Sequence, residues 1–356
     1  MKEKALIAMS GGVDSSVAAY LIKSQGYETC GITLKLYSNP DDIKCRRTCC
    51  SLDDVEDARS VANKLDIPYY VLNFKDNFEE TVIKNFVTSY QNGLTPNPCI
   101  ECNRYIKFNQ LLSRANQLDF DYVVTGHYIQ RDYDKQSGRY LLKKAVDHTK
   151  DQSYVLYTLT QDQLKQSLFP LGTMTKHEVR EIADAHGFIN SQKPDSQDIC
   201  FVPDGDYAAF IEKYTGIPSK IGNFIDKNGN ILGTHKGIIH YTIGQRKGLG
   251  LSLAKPAYVI EKNLDNNTVT LGSNDDLFTT TLTANNINLI AVDKITEPLK
   301  LKAKTRYSQI EEPAIVNQID EDTIHVEFTS PQRAITPGQA VVLYDDDIVV
   351  GGGTIL

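Results

Sequence analysis

The first 125 residues alternate short apolar runs with amphipathic helical patterns. Ala5–Met9 is uniformly apolar and is predicted to be a strand. A helix is predicted to follow from Asp14 to about Gln25, because apolar residues recur there at helical spacing and Gly26 marks the end. Further strands are predicted at Thr29–Leu36, Tyr69–Phe74 and Tyr122–Thr125, and further helices at about 55–65, 77–91 and 108–116. This alternation indicates a doubly wound parallel sheet, a fold that binds ligands at the carboxyl ends of its strands.

Beyond residue 150 the pattern changes twice. Residues 150–210 look helical and loop-rich, whereas short alternating strands separated by Asn-, Asp- and Gly-rich turns follow after about residue 255. The latter pattern predicts a small sandwich or barrel from about residue 280. We therefore expect three domains with the bounds 1–205, 206–278 and 279–356, the second of which carries the glycine-rich stretch Thr242–Gly250.

Composition and charge restrict the class of protein. Of the 356 residues, 41% are hydrophobic and 23% charged, and no apolar run approaches the roughly 20 residues that a membrane-spanning helix needs. The apolar stretch Ala5–Met9 leads directly into a glycine turn and does not resemble a signal peptide, so we expect a cytoplasmic protein with no membrane partner. A net charge of −7 disfavours non-specific coating of nucleic acid. Local basic clusters such as Arg246 and Lys247 suit either a solvated face or a shaped RNA.

The loop after the first predicted strand has the composition of a phosphate site. It reads SGGVDSS at residues 10–16, and a helix begins at once. Glycines let the backbone approach an oxyanion, while hydroxyls and the amides of a helix N-terminus donate hydrogen bonds to it. The loop lacks the lysine of a Walker loop. It is similar to the SGGxDS loop of the PP-loop ATP pyrophosphatases, which cleave ATP between the α and β phosphates and pass AMP to a substrate oxygen.

The seven cysteines favour thiol chemistry or metal binding over a disulfide framework. Adenylation suits a carbonyl that must lose its oxygen, and a soft nucleophile must then attack. Cys102 lies in a proline-punctuated loop before a predicted helix, where Arg104 and Lys107 are positive neighbours that would stabilise a thiolate. Cys200 follows the long helical region and, taken alone, suits a buried inert cysteine at least as well as a reactive one.

Sequence blocks along the whole chain resemble one family. The blocks are SGGVDSS at 10–16, TPNPxxxCNxxIKF at 95–108, GHY at 126–128, KDQSYVLY at 150–157, DSxxICF at 195–201, HYTIGQRKGLG at 240–250 and SPQRAITPGQAVVLYD at 330–345. In this order they resemble the bacterial tRNA-specific 2-thiouridylases (the MnmA, or TrmU, family). The resemblance implies a PP-loop ATP pyrophosphatase domain that binds the nucleotide, a small connecting domain and a C-terminal β-barrel domain that binds tRNA.

The resemblance also implies a reaction and its participants. Such an enzyme adenylates C2 of the wobble uridine in the tRNAs for lysine, glutamate and glutamine and then transfers sulfur, giving 2-thiouridine, AMP and pyrophosphate. A cysteine desulfurase or sulfur-relay protein would load a persulfide on Cys200, and Cys102 would help release its terminal sulfur and close a disulfide with Cys200. Extruding the uridine into a pocket would expose its C2 oxygen.

The binding residues follow from the same motifs. ATP, with Mg²⁺, would bind at Ala8, Met9, Ser10, Gly11, Gly12, Val13, Asp14, Ser15, Leu34 and Gly126. The tRNA would touch Asn97, Pro98, Cys99, His127, Lys150, Asp151, Gln152, Arg306, Tyr307 and Gln339. Leu34 replaces a methionine common on the adenine side, a volume-conserving change that we expect to be tolerated.

Cys99 departs from the family pattern. The family frequently has an aspartate there, proposed to act as an acid or base near the target uridine, and a thiol cannot play that role in the same protonation state. If Cys200 lies beside Cys99 and Cys102, three thiolates surround one site, which suits an iron–sulfur cluster or zinc. The sequence alone leaves the persulfide and cluster routes open.

A second cysteine group lies at Cys45, Cys49 and Cys50, in the basic stretch CRRTCC. Adjacent cysteines rarely ligate one metal well, so these thiols suit an incidental loop, a metal clip or a sulfur relay. Two other function classes also account for parts of the chain. A PP-loop ligase that uses ammonia would need neither Cys102 nor Cys200, whereas a zinc-bearing RNA-binding module would consume no ATP.

Overall fold

A parallel sheet organises the N-terminal part of the chain. The structure, a computed structural model, describes residues 2–37, 52–195 and 199–356. Its first strands are β1 (Lys4–Ala8), β2 (Glu28–Lys35), β3 (Tyr69–Asn73), β4 (Tyr122–Val124), β5 (Ile129–Asp134), β6 (Arg139–Lys144) and β7 (Ser167–Leu168). Five of them form one sheet in the order β3-β2-β1-β4-β7, with parallel pairing throughout. The predicted parallel sheet is confirmed, and β7 extends it beyond the predicted strands.

Helices cover both faces of this sheet. They are α1 (Val13–Ser24), α2 (Leu52–Lys64), α3 (Lys75–Phe78), α4 (Lys84–Gln91), α5 (Pro98–Glu101), α6 (Leu111–Gln117), α7 (Gln161–Lys165), α8 (Lys176–Ala185) and α9 (Tyr207–Thr215). π-Helical segments at Glu79–Ile83 and Cys102–Gln110 join α3 to α4 and α5 to α6. Among the residues that the structure describes, none of the helices is long and apolar enough to cross a membrane.

Strand β1 divides the core in two, because successive side chains point to opposite faces. Ala5 and Ile7 are fully buried against α1, α2 and α8, whereas Leu6 packs with the helices on the other face. Burying an aliphatic side chain of this size contributes about 1.5–3 kcal/mol, so β1 is fixed between two layers. The core that contains Leu6 continues into the C-terminal domain through Val342 and Tyr344. The SGGVDSS loop that follows β1, for which nucleotide binding is predicted and which is called the nucleotide loop below, therefore starts from a rigid element.

A four-stranded sheet forms the middle of the chain. Its strands are β8 (Gly222–Ile225), β9 (Ile231–His235), β10 (Tyr258–Asn263) and β11 (Thr268–Gly272), in the order β10-β11-β8-β9. Phe224, Val259 and Val269 are fully buried in its small core. The glycine-rich stretch Thr242–Gly250 runs beside β10, where the amide of Gly244 donates to the carbonyl of Val259 over 2.8 Å.

Six antiparallel strands close the C-terminal domain into a barrel. They are β12 (Phe278–Leu289), β13 (Leu299–Lys304), β14 (Glu312–Gln318), β15 (Ile324–Arg333), β16 (Ala340–Asp345) and β17 (Ile348–Ile355). The order β12-β15-β14-β13-β16-β17 closes because β12 also pairs with β17, for example Ala284 with Ile355. Closure leaves these six strands without an open edge, and the predicted C-terminal β-barrel is confirmed.

The hairpin β5–β6 connects the N-terminal parallel sheet to the C-terminal barrel. It leaves the parallel sheet after β4, and β6 pairs with β17 of the barrel at Lys143 and Ile348. Arg139 strengthens the junction, since its Nε donates to the carbonyl of Ile290 over 2.8 Å. The sequence pattern did not predict this hairpin, because the strand that it joins lies far along the chain.

Candidate active site

The loop between β1 and α1 is shaped by its own hydroxyls and glycines. Ser15 Oγ donates to the carbonyl of Gly12 over 3.0 Å and accepts from the amide of Ser10 over 3.1 Å. Gly11 has φ +77°, and a Cβ there would lie 2.3 Å from the carbonyl oxygen of Asp54, so only glycine fits. Because the first N–H groups of a helix have no acceptor within the helix, the start of α1 presents donors to an anion.

A cavity of about 580 Å³ opens beside this loop, at the carboxyl ends of β1, β2 and β4. Every residue predicted for nucleotide binding lines it except Gly11: Ala8, Met9, Ser10, Gly12, Val13, Asp14, Ser15, Leu34 and Gly126. His127, Lys150, Gln152 and Tyr307, all predicted to touch tRNA, line the same cavity. The hydrogen-bond donors of the loop suit a phosphate, and the apolar wall at Leu34 suits the base of a nucleoside phosphate.

A chain of charges runs from the nucleotide loop to the segment before Cys200. Lys176 Nζ lies 2.7 and 2.8 Å from the two carboxylate oxygens of Asp14 and 2.7 Å from Oδ1 of Asp195. Lys150 Nζ binds Oδ2 of the same Asp195 at 2.8 Å. Partial burial acts to raise the pKa of Asp195, but the hydrogen bonds from Lys150 and Lys176 outweigh it and lower the pKa. Asp195 is therefore a carboxylate shared by two lysines.

Tyr128 completes the contacts of Asp14. Its hydroxyl donates to Oδ1 of Asp14 over 2.7 Å. Burial, followed by the nearby charge of Asp14, raises the pKa of Tyr128 far above its ordinary value, so the hydroxyl stays protonated and acts as a donor. The carboxylate of Asp14 is thus oriented from two sides by Tyr128 and Lys176.

A second set of contacts clamps the loop at Gly11. Asn190 Nδ2 donates to the Gly11 carbonyl and to Ser16 Oγ, both over 2.9 Å. Lys193 Nζ contacts the same carbonyl at 3.3 Å and pairs with Asp54 and Asp57 at 2.6 Å. The sequence reasoning missed Lys176, Asn190 and Lys193. The capping-box pattern Thr175-x-x-Glu178 could have predicted where α8 begins. No sequence pattern indicates which residues the side chain of Lys176 contacts.

His127 is buried at the cavity wall. Its Nδ1 lies 2.8 Å from Thr125 Oγ1, and its Nε2 lies 3.5 Å from Nζ of Lys107. Burial, and then the positive charge of Lys107, lower the pKa of His127 well below its ordinary value. The imidazole is therefore neutral at pH 7. The partners assign the proton to Nδ1, which leaves Nε2 as the acceptor for Lys107.

The predicted cysteines lie in different settings. Cys99 is exposed in α5, where its amide donates to Oδ1 of Asn97 over 3.1 Å. Cys102 begins the following π-helical segment, and both Cys102 and Cys200 are half-buried against the same hydrophobic core. Next to Cys200, the ring of Phe201 packs edge-on against Phe86 at 5.2 Å between centroids. The fold thus brings Cys102 and Cys200 to one core.

No shared metal centre emerges from these thiols. Within residues 2–37, 52–195 and 199–356, no group of three or more His, Cys, Asp and Glu side chains is arranged to hold a metal ion. The structure thus shows no metal site formed by Cys99, Cys102 and Cys200. Cys45, Cys49 and Cys50, the candidates for a metal clip or a sulfur relay, lie outside the described residues.

Several residues predicted to touch tRNA are engaged inside the protein. Asp151 Oδ2 accepts from Ser153 Oγ over 2.6 Å, and Gln152 Oε1 accepts from the amide of Tyr128 over 3.0 Å. Gln339 Nε2 donates to the carbonyl of Thr95 over 2.7 Å, which docks the loop containing Asn97 and Pro98 on the barrel. Of these three residues, Gln152 also lines the cavity.

Tyr307 and Arg306 lie between β13 and β14 of the barrel, and Tyr307 lines the cavity. The Tyr307 hydroxyl donates to the carbonyl of Asp151 over 3.0 Å. Arg306 Nη2 donates to the carbonyls of Arg333 and Ala334 over 2.8 and 2.7 Å. The barrel thereby contributes directly to the mouth of a cavity whose floor belongs to the N-terminal sheet.

Comparisons with known proteins agree with this architecture. A family model described as the tRNA methyl transferase HUP domain matches residues 3–204, and models described as the tRNA methyl transferase PRC-barrel domain and the aminomethyltransferase beta-barrel domain match residues 208–273 and 279–355. A solved structure of a 4-thiouridine synthetase–RNA complex with bound ATP covers 60% of this chain and 50% of its own at 17% identity and a TM-score of 0.36, too low a similarity to add to the assignment.

Relatives match over the full length. The tRNA-specific 2-thiouridylase MnmA of Clostridioides difficile (strain 630) is 54% identical over 355 residues, which covers 100% of this chain and 98% of the relative. The protein of the same name from Acetivibrio thermocellus is 53% identical over 356 residues, with 99% of both chains covered. The tRNA-specific 2-thiouridylase MnmA 1 of Thermoanaerobacter sp. (strain X514) is 54% identical over 354 residues, or 99% of this chain and 97% of its own. The chain belongs to the tRNA-specific 2-thiouridylase MnmA family.

Proposed function

We propose that the chain is a tRNA-uridine 2-sulfurtransferase that makes 2-thiouridine at the wobble position. ATP first adenylates the C2 oxygen of the uridine and releases pyrophosphate. Sulfur carried as a persulfide on Cys200 then replaces that oxygen, and AMP leaves. The observation that carries the proposal is that a loop suited to phosphate and two half-buried cysteines share one domain in a chain whose full-length relatives bear this name.

The nucleotide loop supports the activation step. Glycines at 11 and 12 and the start of α1 provide amide donors for the phosphates, and the cavity side at Leu34 suits the adenine. Lys193, which lines the cavity, contacts the carbonyl of Gly11 and pairs with Asp54 and Asp57, so it holds the loop against α2. Mg²⁺ would enter with ATP and be held mainly by phosphate oxygens and water. Asp14 is the carboxylate of the loop itself, and Lys176 holds it in place.

The sulfur step requires both cysteines. The terminal sulfur of the Cys200 persulfide bonds to C2 of the adenylated uridine. The Cys102 thiolate then attacks Sγ of Cys200, the sulfur–sulfur bond breaks toward C2, and AMP departs as the C=S bond forms. A Cys102–Cys200 disulfide remains, so a thiol reductant and a fresh sulfur donor, a cysteine desulfurase or relay protein, must restore the enzyme for each turnover.

The three domains would divide the work. We assign catalysis to residues 1–205, a connecting role to 206–278 and tRNA binding to 279–356. The contacts of Gln339 with Thr95 and of Tyr307 with Asp151 support this division, because they join the barrel to the N-terminal domain beside the cavity that Tyr307 lines. The substrate would be a tRNA with a wobble uridine, of the lysine, glutamate and glutamine class. Its phosphates would be met by local basic groups, since the net charge of the chain is −7.

The direct test is 2-thiouridine formation in unmodified tRNA, with ATP, a persulfide donor and a thiol reductant, followed by nucleoside mass spectrometry. Cys200→Ser and Cys102→Ser should each lose at least 100-fold in thiolation, whereas Cys200→Ser should still release pyrophosphate. Cys30→Ser is the matched control, because Cys30 is buried in β2 away from the cavity wall, and it should retain activity. ATP consumption that yields no 2-thiouridine and is unchanged in Cys200→Ser would instead favour an ammonia-using ligase.

A Cys99 variant distinguishes the persulfide route from the iron–sulfur cluster route. Protein purified under argon is analysed for iron, zinc and acid-labile sulfide, and wild type is compared with Cys99→Asp. On the persulfide route, Cys99→Asp thiolates tRNA without metal, because an exposed residue in the first turn of α5 tolerates a carboxylate. Activity that tracks cluster content and collapses in Cys99→Asp would make the three thiols cluster ligands. Stoichiometric zinc together with no ATP consumption would instead favour a zinc-bearing RNA-binding module.

A further inference from the structure

Lys107 places a positive charge at the wall of the cavity beside the nucleotide loop. It belongs to the π-helical segment Cys102–Gln110, and its half-buried side chain lines the cavity. Ile106 and Phe108, on either side of it in the chain, are fully buried in the core, so the backbone that carries Lys107 is held in place. A π-helix bonds residues five apart and occurs frequently at functional sites. This spacing brings Cys102 and Lys107 to the same side of the segment.

The partner of Lys107 does not neutralise its charge. Lys107 Nζ lies 3.5 Å from Nε2 of His127, which is neutral because burial lowers the pKa of the imidazole. His127 is itself fixed, since its Nδ1 lies 2.8 Å from Thr125 Oγ1 and its ring centroid lies 5.9 Å from that of Phe108. An ammonium group that a neutral imidazole holds at a cavity wall favours an anion in that cavity.

The other two lysines that line the cavity are paired with carboxylates. Lys150 Nζ lies 2.8 Å from Oδ2 of Asp195, and Lys193 Nζ lies 2.6 Å from Oδ1 of Asp54. In the part of the chain that the structure describes, no carboxylate forms an ion pair with Lys107. The charge of Lys107 is therefore available to a bound anion.

The location of Lys107 indicates which anion it meets. The nucleotide loop presents amide and hydroxyl donors at the start of α1, which suits the terminal phosphates of ATP. Lys107 lines the cavity of that loop, yet it belongs to the segment that begins with Cys102. In the proposed reaction, C2 of the uridine is bonded through its oxygen to the α-phosphate and is attacked by sulfur. The group that spans the loop and the cysteine-bearing segment is therefore the α-phosphate with its ester oxygen.

We propose that Lys107 is a catalytic residue that donates a hydrogen bond to a non-bridging oxygen of the α-phosphate. In the first step, the C2 oxygen bonds to the α-phosphorus, the bond from that phosphorus to the bridging oxygen breaks, and pyrophosphate leaves with the electron pair. In the second step, the bond between C2 and the ester oxygen breaks, and AMP takes its electrons. Lys107 stabilises the negative charge at the phosphate in both steps and transfers no proton. This role rests on the proposed function.

The first test isolates adenylation from sulfur transfer. The single-turnover rate of pyrophosphate release is measured with ATP and unmodified tRNA in the Cys200→Ser background, where no sulfur is transferred. Adding Lys107→Met should lower this rate about 100-fold, as expected for the loss of one donor to a developing oxyanion. Lys107→Arg keeps the positive charge and should recover part of the rate. Lys165→Met, which removes an exposed lysine outside the cavity wall, is the matched control and should keep the rate.

Two further measurements assign the contact to the α-phosphate. In calorimetry, Lys107→Met should bind AMP about 10-fold more weakly and adenosine with unchanged affinity, because only AMP carries the phosphate. ATP in which sulfur replaces one non-bridging α-oxygen is also compared with ATP, since sulfur is a weak acceptor. For one diastereomer, this replacement should slow pyrophosphate release about 10-fold more with Lys107 present than in Lys107→Met. Both ratios compare ligands on one folded protein, so reduced stability of the variant does not imitate them.

The outcomes separate this role from others. A lysine that serves only to stabilise the Cys102 thiolate would leave pyrophosphate release unchanged in Lys107→Met and lower thiolation alone, and that result would overturn the proposal. Equal weakening of AMP and adenosine binding, or an equal effect of the sulfur replacement in both proteins, would also overturn it. Absence of pyrophosphate release by the wild-type protein with ATP and tRNA would refute the proposed function itself, while the comparison of AMP with adenosine would still test the contact of Lys107.

Discussion

The ammonium group of Lys176 lies within 2.8 Å of both carboxylate oxygens of Asp14, although the two residues are far apart in the chain. Lys176 is the first residue of α8, whose start is fixed by a capping box in which Thr175 and Glu178 satisfy each other's backbone amides. The same ammonium contacts Asp195 at 2.7 Å. One side chain thus connects the nucleotide loop to the stretch that leads to Cys200.

Replacing Lys176 by methionine should damage the nucleotide site more than the fold. The carboxylates of Asp14 and Asp195, each about 30% exposed, would lose the ammonium group that they share. We expect this loss to lower the free energy of unfolding by about 1–3 kcal/mol after allowance for solvent screening. Pyrophosphate release with tRNA should fall more than 10-fold, and Lys176→Arg should recover part of it. Lys227→Met, which removes a lysine paired with Asp276 in the middle domain, is the matched control. Normal pyrophosphate release by Lys176→Met would show that the contact has no role in activation.

Gly126 should resist even the smallest side chain. A Cβ there would lie 2.8 Å from the carbonyl carbon of Asp14 and from the amide nitrogen of Ser15, both backbone atoms that cannot rotate away. Gly126→Ala should therefore shift the start of α1 and weaken ATP binding by at least 10-fold in calorimetry. Gly272→Ala, where the neighbours are the side chains of Asp276 and Ile260, is the control and should bind ATP normally. Equal ATP affinity in both variants would contradict this account.

The nucleotide loop could be predicted from the sequence because its chemistry is local. Glycines and hydroxyls at 10–16 act within a few residues of one another, and the hydrophobic periodicity places β1 and α1 on either side. The partners of that loop could not be predicted in the same way. Asn190 and Lys193 reach Gly11 only after the whole sheet has formed, and neither belongs to an apolar pattern.

The hairpin β5–β6 shows the same limit for the fold. Its strands were not predicted, because β6 is stabilised by β17 near the other end of the chain. The barrel strands were easier, since alternation such as that of Ile324, Val326 and Phe328 points a buried face inward. Long-range pairing and charged contacts between elements therefore account for what the sequence did not reveal.

Stability should depend on the protonation of His127. Its pKa in the folded protein is lowered below the ordinary value of 6.5, first by burial and then by Lys107, whereas the unfolded chain retains the ordinary value. The stabilisation from a neutral imidazole is therefore complete above pH 6.5 and is lost as the pH falls below it, at about 1 kcal/mol per pH unit. Urea midpoints at pH 7.5 and 5.5 should fall more for wild type than for His127→Gln. Parallel shifts of the two proteins would exclude His127 as the cause.

Gln339 should affect tRNA turnover without affecting ATP. Its Nε2 donates to the carbonyls of Thr95 and Pro96, at 2.7 and 3.4 Å, and the amide of Thr95 donates to the carbonyl of Pro337. Gln339→Ala removes the side-chain half of this docking, so the segment that leads to Cys99 becomes looser on the barrel. We expect kcat/KM for tRNA to fall about 5- to 10-fold, the equivalent of about 1 kcal/mol for one hydrogen bond.

A loosened docking segment leaves a second signature. Hydrogen exchange at the Thr95 amide should accelerate in Gln339→Ala, because its acceptor Pro337 is held by the same contact region. Gln117→Ala, which removes an exposed side chain on α6 that bonds only to Arg114 among the described residues, should change neither exchange nor turnover. Gln339→Ala could instead show the same hydrogen exchange at Thr95 and the same tRNA turnover as Gln117→Ala. The Gln339 side chain would then contact tRNA weakly or not at all, and the backbone contact between Thr95 and Pro337 would be sufficient to dock the loop.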